Sequence, residues 1–209
     1  MGGGTAFWVM SDLYRTAAHR ATVELKERGS RFIAEAVSVS APEEALKEIQ
    51  AVKRREHAAK HHCSAYRIGV DAAFQRFDDD GEPSGTAGQP ILRQLVARGL
   101  TNTLVIVTRY FGGTKLGTGG LMRAYGAAAS LALDEAGEVQ REVRTRVRVR
   151  FSYDDTATAM LALEQFDGRI IRSKYTDVTT LEVSIRASKA EAFRAAFVEM
   201  LAGRGQVNS

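Results

Sequence analysis

Two glycine-rich segments hold the residues of this chain that are best suited to chemistry. They span residues 79–88 and 108–120 and contain eight of the 19 glycines. Each precedes a stretch with helical periodicity, so backbone N–H groups are expected at a helix N-terminus, where anions such as phosphate bind. Glycine also allows another molecule to approach the backbone closely. The sequence therefore predicts an anion-binding surface.

The second segment combines cations with aromatic rings. Arginine suits bidentate phosphate contacts, and an aromatic ring offers a surface on which a base could stack. The glycine spacing matches neither the Walker A nor the Rossmann pattern. The residues assigned to nucleic-acid or anion contact are Arg109, Tyr110, Phe111, Gly112, Gly113, Lys115, Gly117, Gly119, Gly120 and Arg123. Alternatively, the rings belong to the core and the glycines serve only tight packing.

The first segment is acidic, with four carboxylates in residues 78–82. Such a cluster could hold Mg²⁺ or act as acid and base. It could equally pair with the cations of the second segment, or form a solvated turn. Asp79, Asp80 and Glu82 are therefore candidates for a supporting role, with no metal assigned and Mg²⁺ kept as an alternative. The residues Ser84, Gly85 and Thr86 are added to the anion site, and Ser84 or Thr86 could cap the following helix.

A His61-His62-Cys63 run precedes both segments. Neighbouring residues of a strand point to opposite faces, so the three cannot all bind one ion. His61 and His62 are candidates for the supporting site, and one of them is expected to face the glycine segments. Cys63, the single cysteine, is interpreted as a small buried hydrophobe, and no intrachain disulfide is possible.

Periodicity predicts two domains, at residues 10–140 and 143–207, with a boundary near residues 138–143. In the first, helices are expected at 41–55, 89–98 and 121–136, and strands at 21–25, 31–39, 64–70, 72–77 and 104–107. In the second, strands are expected at 144–153, 169–175 and 179–186 and helices at 155–166 and 189–202. A last short strand is expected within 203–207. That order is typical of a ferredoxin-like α/β sandwich.

Four arginines alternate with apolar residues on the first strand of the second domain. Their side chains share one face because strand side chains alternate. A row of arginines could follow a phosphate backbone, although a solvated outer face explains the pattern too. The residues are Arg144, Arg146, Arg148 and Arg150.

Composition indicates a soluble, cytoplasmic protein without a membrane segment. The chain has 209 residues, 44% of them hydrophobic, and a formal net charge of +4. No apolar run approaches the roughly 20 residues that span a bilayer. The first nine residues lack the features of a signal peptide, and Met10 is the expected natural start. The mild positive charge is compatible with nucleic acid but does not require it.

The two glycine segments resemble the hallmarks of the YigZ/IMPACT family. The similarity covers residues 29–136. Residues 109–121 and 79–88 match the two signatures of the family, and residues 30–33 match the start of its conserved region. The tail, about residues 143–205, resembles the small C-terminal domain of bacterial members.

The resemblance implies an α+β protein. Its N-terminal domain would be an α/β sandwich like the second domain of ribosomal protein S5. Its ferredoxin-like C-terminal domain would be similar to the last domain of elongation factor G. This pairing points toward RNA or the ribosome. Our leading hypothesis is a non-enzymatic protein that regulates translation with RNA or the ribosome as partner, and a translation-regulatory protein is kept as a further candidate partner. A nucleotide- or phosphometabolite-dependent enzyme and a protein-interaction module are the alternatives.

Overall fold

A computed structural model describes residues 12–208 and has the predicted α+β class. The natural start expected at Met10 lies outside these residues. The chain divides into two compact units, one of residues 14–141 and one of residues 12–13 with 142–208. Within residues 12–208, no helix is both long and apolar enough to cross a membrane.

The first unit is built on a five-stranded antiparallel sheet. The strand order is β2-β3-β6-β4-β5, so β6, the strand that leads into the second glycine-rich segment, lies at the centre of the sheet. The strands are β2 (Ala21–Glu27), β3 (Ser30–Ser38), β4 (His61–Ile68), β5 (Phe74–Asp78) and β6 (Thr103–Tyr110). Strand β6 is longer than predicted because the sheet continues through the polar residues Thr108 and Arg109, which are buried by their neighbours.

Three helices cover both faces of this sheet. Helix α1 (Pro42–Arg55) packs on the face that carries Leu104 and Ile106. Helices α2 (Gly88–Ala97) and α3 (Gly117–Ala136) pack on the face that carries Val105 and Val107. The continuous apolar run of β6 follows from this burial on both sides.

Further differences from the sequence prediction lie at residues 138–142 and at the start of α3. The division between the units falls at residues 141–142, within the predicted boundary of 138–143, but the sequence predicted no strand there, and residues 138–142 form strand β7 (Glu138–Glu142), which pairs with β1 (Leu13–Ala17) in a two-stranded sheet. Both strands are short and largely polar, and their partners are far apart in the chain, so local periodicity did not reveal them. Helix α3 begins four residues earlier than predicted, because the end of the second glycine segment forms its first turn.

The second unit has the topology of a ferredoxin-like fold. Strands β8 (Arg144–Phe151), β9 (Arg169–Tyr175), β10 (Thr179–Arg186) and β11 (Gln206–Asn208) form an antiparallel sheet of order β11-β8-β10-β9. Helices α4 (Thr156–Gln165) and α5 (Ala190–Met200) cover one face through a core that includes Val147, Phe151 and Phe193. The opposite face is exposed.

Candidate functional site

The first glycine-rich segment folds around the carboxylate of Asp79. Oδ1 accepts hydrogen bonds from the amides of Ala87 (3.0 Å) and Gly88 (2.8 Å), and Oδ2 accepts one from Gly85 (2.8 Å). The amides of Ala87 and Gly88 lie at the start of α2, so a side chain of the protein itself occupies the anion position at this helix N-terminus. The segment differs here from the expected surface, because the Gly85 amide is used internally.

The side chains proposed for the same turn are also separated. Thr86 is buried and its hydroxyl donates to the carbonyl of Pro83 at 2.6 Å, whereas Ser84 is exposed. Gly88 lies against Asp78 so closely that a Cβ atom would come within 2.8 Å of the Asp78 backbone. The glycine at position 88 therefore serves internal packing, and of the three residues added to the anion site from this turn, Ser84 is the one with an exposed side chain.

Asp80 connects the acidic turn to α1 and to the start of β4. Its carboxylate accepts hydrogen bonds from Lys53 Nζ and from the amide of His62, both at 2.7 Å. Burial alone would raise the pKa of the Asp80 carboxyl, but these bonds and the charge of Lys53 outweigh it and hold the pKa below its ordinary value. Asp80 is thus an ionised anchor of the turn.

The two histidines lie on opposite faces of the sheet, as predicted. His61 faces the first glycine segment, where its Nδ1 donates to the carbonyl of Asp80 at 2.8 Å. The buried His62 lies on the α1 side and its Nε2 contacts the carbonyl of Glu56 at 3.2 Å. The expectation that one histidine faces the glycine segments is confirmed for His61.

Glu82 and Arg109 form a buried ion pair that joins the two glycine segments. Arg109 Nη1 donates to Glu82 Oε1 at 2.7 Å, and the Tyr125 hydroxyl donates to the same oxygen at 2.8 Å. Arg109 is only 7% exposed and lies between the rings of Phe32 and Phe111, each 5.6 Å from its guanidinium carbon. Three alternatives were open for the acidic segment, and for Glu82 the structure shows the one in which it pairs with a cation of the second glycine-rich segment.

This network gives Arg109 a different position from the exposed phosphate contact that the sequence suggested. Its charge is already balanced by Glu82, and its Nε has no hydrogen-bond partner within residues 12–208. Hydrogen-bond donors already contact both carboxylate oxygens of Asp79 and of Asp80, and one carboxylate oxygen of Glu82. Of the four acidic residues in 78–82, Asp78 is the exposed one, and its Oδ1 accepts a hydrogen bond from the amide of Asp80.

Cys63 and Tyr125 lie behind this ion pair in the apolar core. Cys63 is fully buried, as interpreted from the sequence, and its thiol donates to the carbonyl of Asp79 at 3.0 Å. Burial raises the pKa of both the Cys63 thiol and the Tyr125 hydroxyl. A thiol held in its neutral form is a poor nucleophile, so Cys63 serves packing and one hydrogen bond.

The second glycine-rich segment begins with a close contact between two turns. Gly112 lies against the β2–β3 hairpin, where a Cβ atom would be 1.8 Å from the carbonyl carbon of Gly29. Its amide donates to the Ser30 hydroxyl at 3.2 Å. Gly113 has a φ of 88°, a conformation that side chains disfavour. These two glycines are thus required by the fold itself.

The N-terminus of α3 is open, unlike that of α2. Its first turn contains Gly117, Gly119 and Gly120 and no acidic residue. Within residues 12–208, no side chain accepts a hydrogen bond from the amides of this turn, and Lys115 and Arg123 are exposed beside it in the sequence. The expected combination of free amides, helix dipole and cations is therefore present here.

The two aromatic residues line a cleft at the end of β6. Phe111 is 59% exposed, and Tyr110 is half-buried with its hydroxyl donating to Glu56 at 2.9 Å. That bond lowers the pKa of the Glu56 carboxyl and raises that of the Tyr110 hydroxyl. The cleft has a volume of about 450 Å³ and is lined by Ala58, Ala59, Lys60, His61, Arg109, Tyr110 and Phe111. Neither aromatic residue is a core residue.

The arginine row of β8 divides into a paired end and an unpaired end. The predicted alternation is present, with Val147 and Val149 buried beneath the exposed Arg148. Arg144 is mostly buried, however, and its guanidinium binds the carboxylates of Glu142 and Asp167 at 3.0 Å each. The bond from Arg144 also lowers the pKa of Asp167. Arg144 is therefore neutralised rather than available to an external phosphate.

Two further cations extend the unpaired end and were missed from the sequence. The strand register aligns Arg172 with Glu182 and Arg148, and Lys174 with Thr180 and Arg150, in two rows across β9, β10 and β8. Paired residues of adjacent strands share a face. The alternation of Arg172 and Lys174 on the predicted strand 169–175 was the signal that could have identified them.

The ion pairs on this face leave four cations without an acidic partner. Arg146 contacts Glu182 at 3.3 Å, and Arg169 and Arg186 join Arg144 around Glu142 and Asp167. The remaining side chains are exposed and form no ion pair within residues 12–208. We call them the cation face, and they are Arg148, Arg150, Arg172 and Lys174.

Comparison with known proteins relates both units to described families. Residues 28–133 match the Impact N-terminal domain, and residues 149–204 match a domain of unknown function, DUF1949. The crystal structure of a hypothetical protein superposes with a TM-score of 0.70 at 33% identity, over 95% of this chain and 97% of the other. The fold is therefore shared along nearly the whole chain.

Similar sequences extend over most of the chain as well. IMPACT family member YvyE of Bacillus subtilis is 36% identical, over 93% of this chain and 89% of its own length. IMPACT family member YigZ of Escherichia coli is 35% identical, over 89% and 92%. Protein IMPACT homolog of Saccharomyces cerevisiae is 36% identical over 44% of this chain and 37% of its own. With both domains matched and these identities over most of its length, the chain belongs to the IMPACT family.

Proposed function

We propose that this protein is a non-enzymatic RNA-binding protein that associates with RNA or the ribosome and regulates translation. The observation that carries the proposal is the cation face, where four exposed basic side chains lie on one side of a sheet without acidic partners among the described residues. Unpaired cations attract a phosphate backbone and release its counterions on binding. The family resemblance implies domains similar to those of ribosomal protein S5 and elongation factor G, and this implication supports the assignment to translation.

The open N-terminus of α3 is proposed as a second phosphate contact. Its glycine amides can donate to phosphate oxygens, and Lys115 and Arg123 add two positive charges. The amides of α2 are excluded from the proposed contact because they already bind Asp79. In the proposed site, the second glycine-rich segment thus contacts phosphate and the first supports the structure around it.

Binding of fluorescently labelled ribosomal RNA, measured by anisotropy over a salt series, tests the proposal. The wild-type affinity should fall steeply with salt. Changing the four cations to glutamine (Arg148→Gln, Arg150→Gln, Arg172→Gln and Lys174→Gln together) should weaken binding at least about tenfold and reduce the slope of log K against log salt by about 3. Co-sedimentation with ribosomes should likewise be weaker for the four-glutamine variant than for the wild-type protein.

A matched variant separates this site from net charge. It carries glutamine at four exposed cations of the first unit, Arg54, Arg76, Arg93 and Lys47, and so loses the same charge. It should bind RNA within about threefold of wild type, since it leaves the cation face intact. Absence of salt-sensitive RNA binding by the wild-type protein would refute the proposed function. Equal losses of RNA affinity in both variants would show that the cation face is not the RNA-binding site.

A second candidate function is that of a protein-interaction module. The exposed Phe111 at the mouth of the 450 Å³ cleft favours it, because exposed aromatic residues beside a concavity often anchor partners. A pull-down that recovers one stoichiometric protein after nuclease treatment, and loses it with Phe111→Ala but not with Phe74→Ala, would support this role. Phe74 is a suitable control because it is similarly exposed on the edge strand β5.

A further inference from the structure

We infer that the cation face recognises the backbone of double-helical RNA rather than the bases of a single strand. The inference rests on the proposed function and specifies the class of RNA. It follows from three properties of the outer face of the second unit: the spacing of its cations, the chemistry of the residues between them, and the rigidity of the strands that carry them.

The four cations form a regular array of two rows by two strands. Along β8, Arg148 and Arg150 are two residues apart, which separates their Cα atoms by about 6.8 Å. Across the sheet, the intervening β10 separates them from Arg172 and Lys174 by two strand spacings, about 9.6 Å. The array is therefore two-dimensional and can contact phosphates along one strand and across a groove.

The positions between and beside the cations are polar. Thr180 and Glu182 lie between the two columns, and Gln206 and Asn208 lie beyond β8 on the same face. Unpaired bases are held mainly by stacking on aromatic side chains, and these outward positions carry hydroxyl, amide and charged groups instead. The hydroxyl and amide groups suit the phosphates and 2′-hydroxyls that a double helix of RNA displays along its wide, shallow minor groove, whereas the carboxylate of Glu182 opposes phosphate.

Of the two strands that carry the array, β8 is held on both sides, and β9 is the edge strand, paired with β10. β8 is paired on both sides, with β10 and β11, and its inward residues Val147, Val149 and Phe151 are packed in the core. A strand backbone that is already fixed loses little further conformational entropy when it meets a rigid partner. A double helix also presents more charge per unit length than a single strand and releases more counterions per contact. Both effects favour the duplex.

The test compares two RNAs with equal numbers of phosphates. One is a duplex of about 16 base pairs, the length that spans two successive minor grooves. The other is an unstructured uridine-rich strand of about 32 nucleotides, which keeps the phosphate count equal. Anisotropy titrations of the full chain at one salt concentration should give an affinity at least tenfold higher for the duplex. Two duplexes of unrelated sequence should bind within about twofold of each other, because the backbone carries no sequence information.

The variants assign the preference to the face. The four-glutamine cation-face variant should lose the duplex preference, and the matched variant of the first unit should keep it. Equal or tighter binding of the single strand overturns the inference but leaves the proposed function intact. If neither RNA binds, the proposed function fails. If a poly-glutamate peptide of equal charge competes as well as the duplex, charge alone explains binding and the inference is overturned.

Discussion

Glu82 and Arg109, 27 residues apart in the chain, form a buried ion pair of 2.7 Å that ties the first glycine-rich segment to the second. The pair lies at the end of the central strand β6, where the hydroxyl of Tyr125 donates to the same carboxylate oxygen. A single carboxylate therefore connects a turn, the central strand and α3, and its loss should affect all three elements.

Replacement of Glu82 tests the ion pair. Glu82→Gln keeps the shape of the side chain but leaves Arg109 buried without a negative charge, and we expect the free energy of unfolding to fall by about 3 kcal/mol. Urea denaturation followed by circular dichroism measures the change. The control Glu27→Gln, at an exposed surface pair, should cost less than about 0.5 kcal/mol. Equal effects in the two variants would contradict a structural role for the buried pair.

Removal of the Asp79 carboxylate tests the internal cap of α2. Asp79→Ala leaves three backbone amides without their acceptor, and we expect a loss of about 2 kcal/mol. Hydrogen exchange by NMR should show faster exchange at Gly85, Ala87 and Gly88. Asp71→Ala, which removes the acceptor of the single amide of Ala73, serves as the control and should leave those rates unchanged. Unaltered exchange in the Asp79 variant would mean that the cap does not protect α2.

Two glycines of the second segment should respond oppositely to alanine. Gly112→Ala places a Cβ atom on the backbone of Gly29, so the β2–β3 turn must move and stability should fall by about 3 kcal/mol or more. Gly119→Ala adds a Cβ atom 3.6 Å from Arg123 in the first turn of α3 and should be neutral or stabilising by up to about 1 kcal/mol. Thermal denaturation measures the change in stability of each variant. An unchanged melting temperature for Gly112→Ala would contradict the close contact.

The ionised state of Asp80 predicts a dependence of stability on pH. Its pKa in the folded protein lies below the ordinary value of 3.8, so its stabilising contribution is present above that value and is lost as the pH falls through the lower folded pKa. The difference in unfolding free energy between wild type and Asp80→Asn should be constant above about pH 5 and shrink below about pH 4. Chemical denaturation from pH 7 to pH 3 measures it, and a constant difference throughout would disprove the assignment.

A gain of binding is expected from Glu182, the acid between the two columns of the cation face. Glu182→Gln removes the negative charge next to Arg148 and Arg172 and should strengthen RNA binding several-fold at low salt. The anisotropy assay described for the proposed function measures it. Misfolding cannot produce a gain, and Glu164→Gln, an exposed position on α4, controls for net charge. No gain at Glu182 relative to this control would argue against RNA contact at this face.

Local patterns explain why much of the fold was predictable. The alternation of Arg146, Arg148 and Arg150 with Val147 and Val149 identified an exposed and a buried face of β8, since strand side chains alternate regardless of what they contact. The apolar spacing of α1 and α2 likewise identified two helices to within one residue at each end. The pairing of β1 with β7 was missed because neither strand carries a local signal strong enough to reveal a partner more than 100 residues away.

The sequence by itself determined most of the helices and strands, the family and the composition of both glycine segments, because each depends on the order of neighbouring residues. The tertiary structure decided how each segment is used. It turned Asp79 toward the amides of α2, paired Glu82 with Arg109 and left the first turn of α3 open. It also separated the neutralised Arg144 from the exposed Arg148, since Asp167 reaches Arg144 only when the sheet has formed. These choices depend on contacts between distant residues, and folding alone brings such residues together.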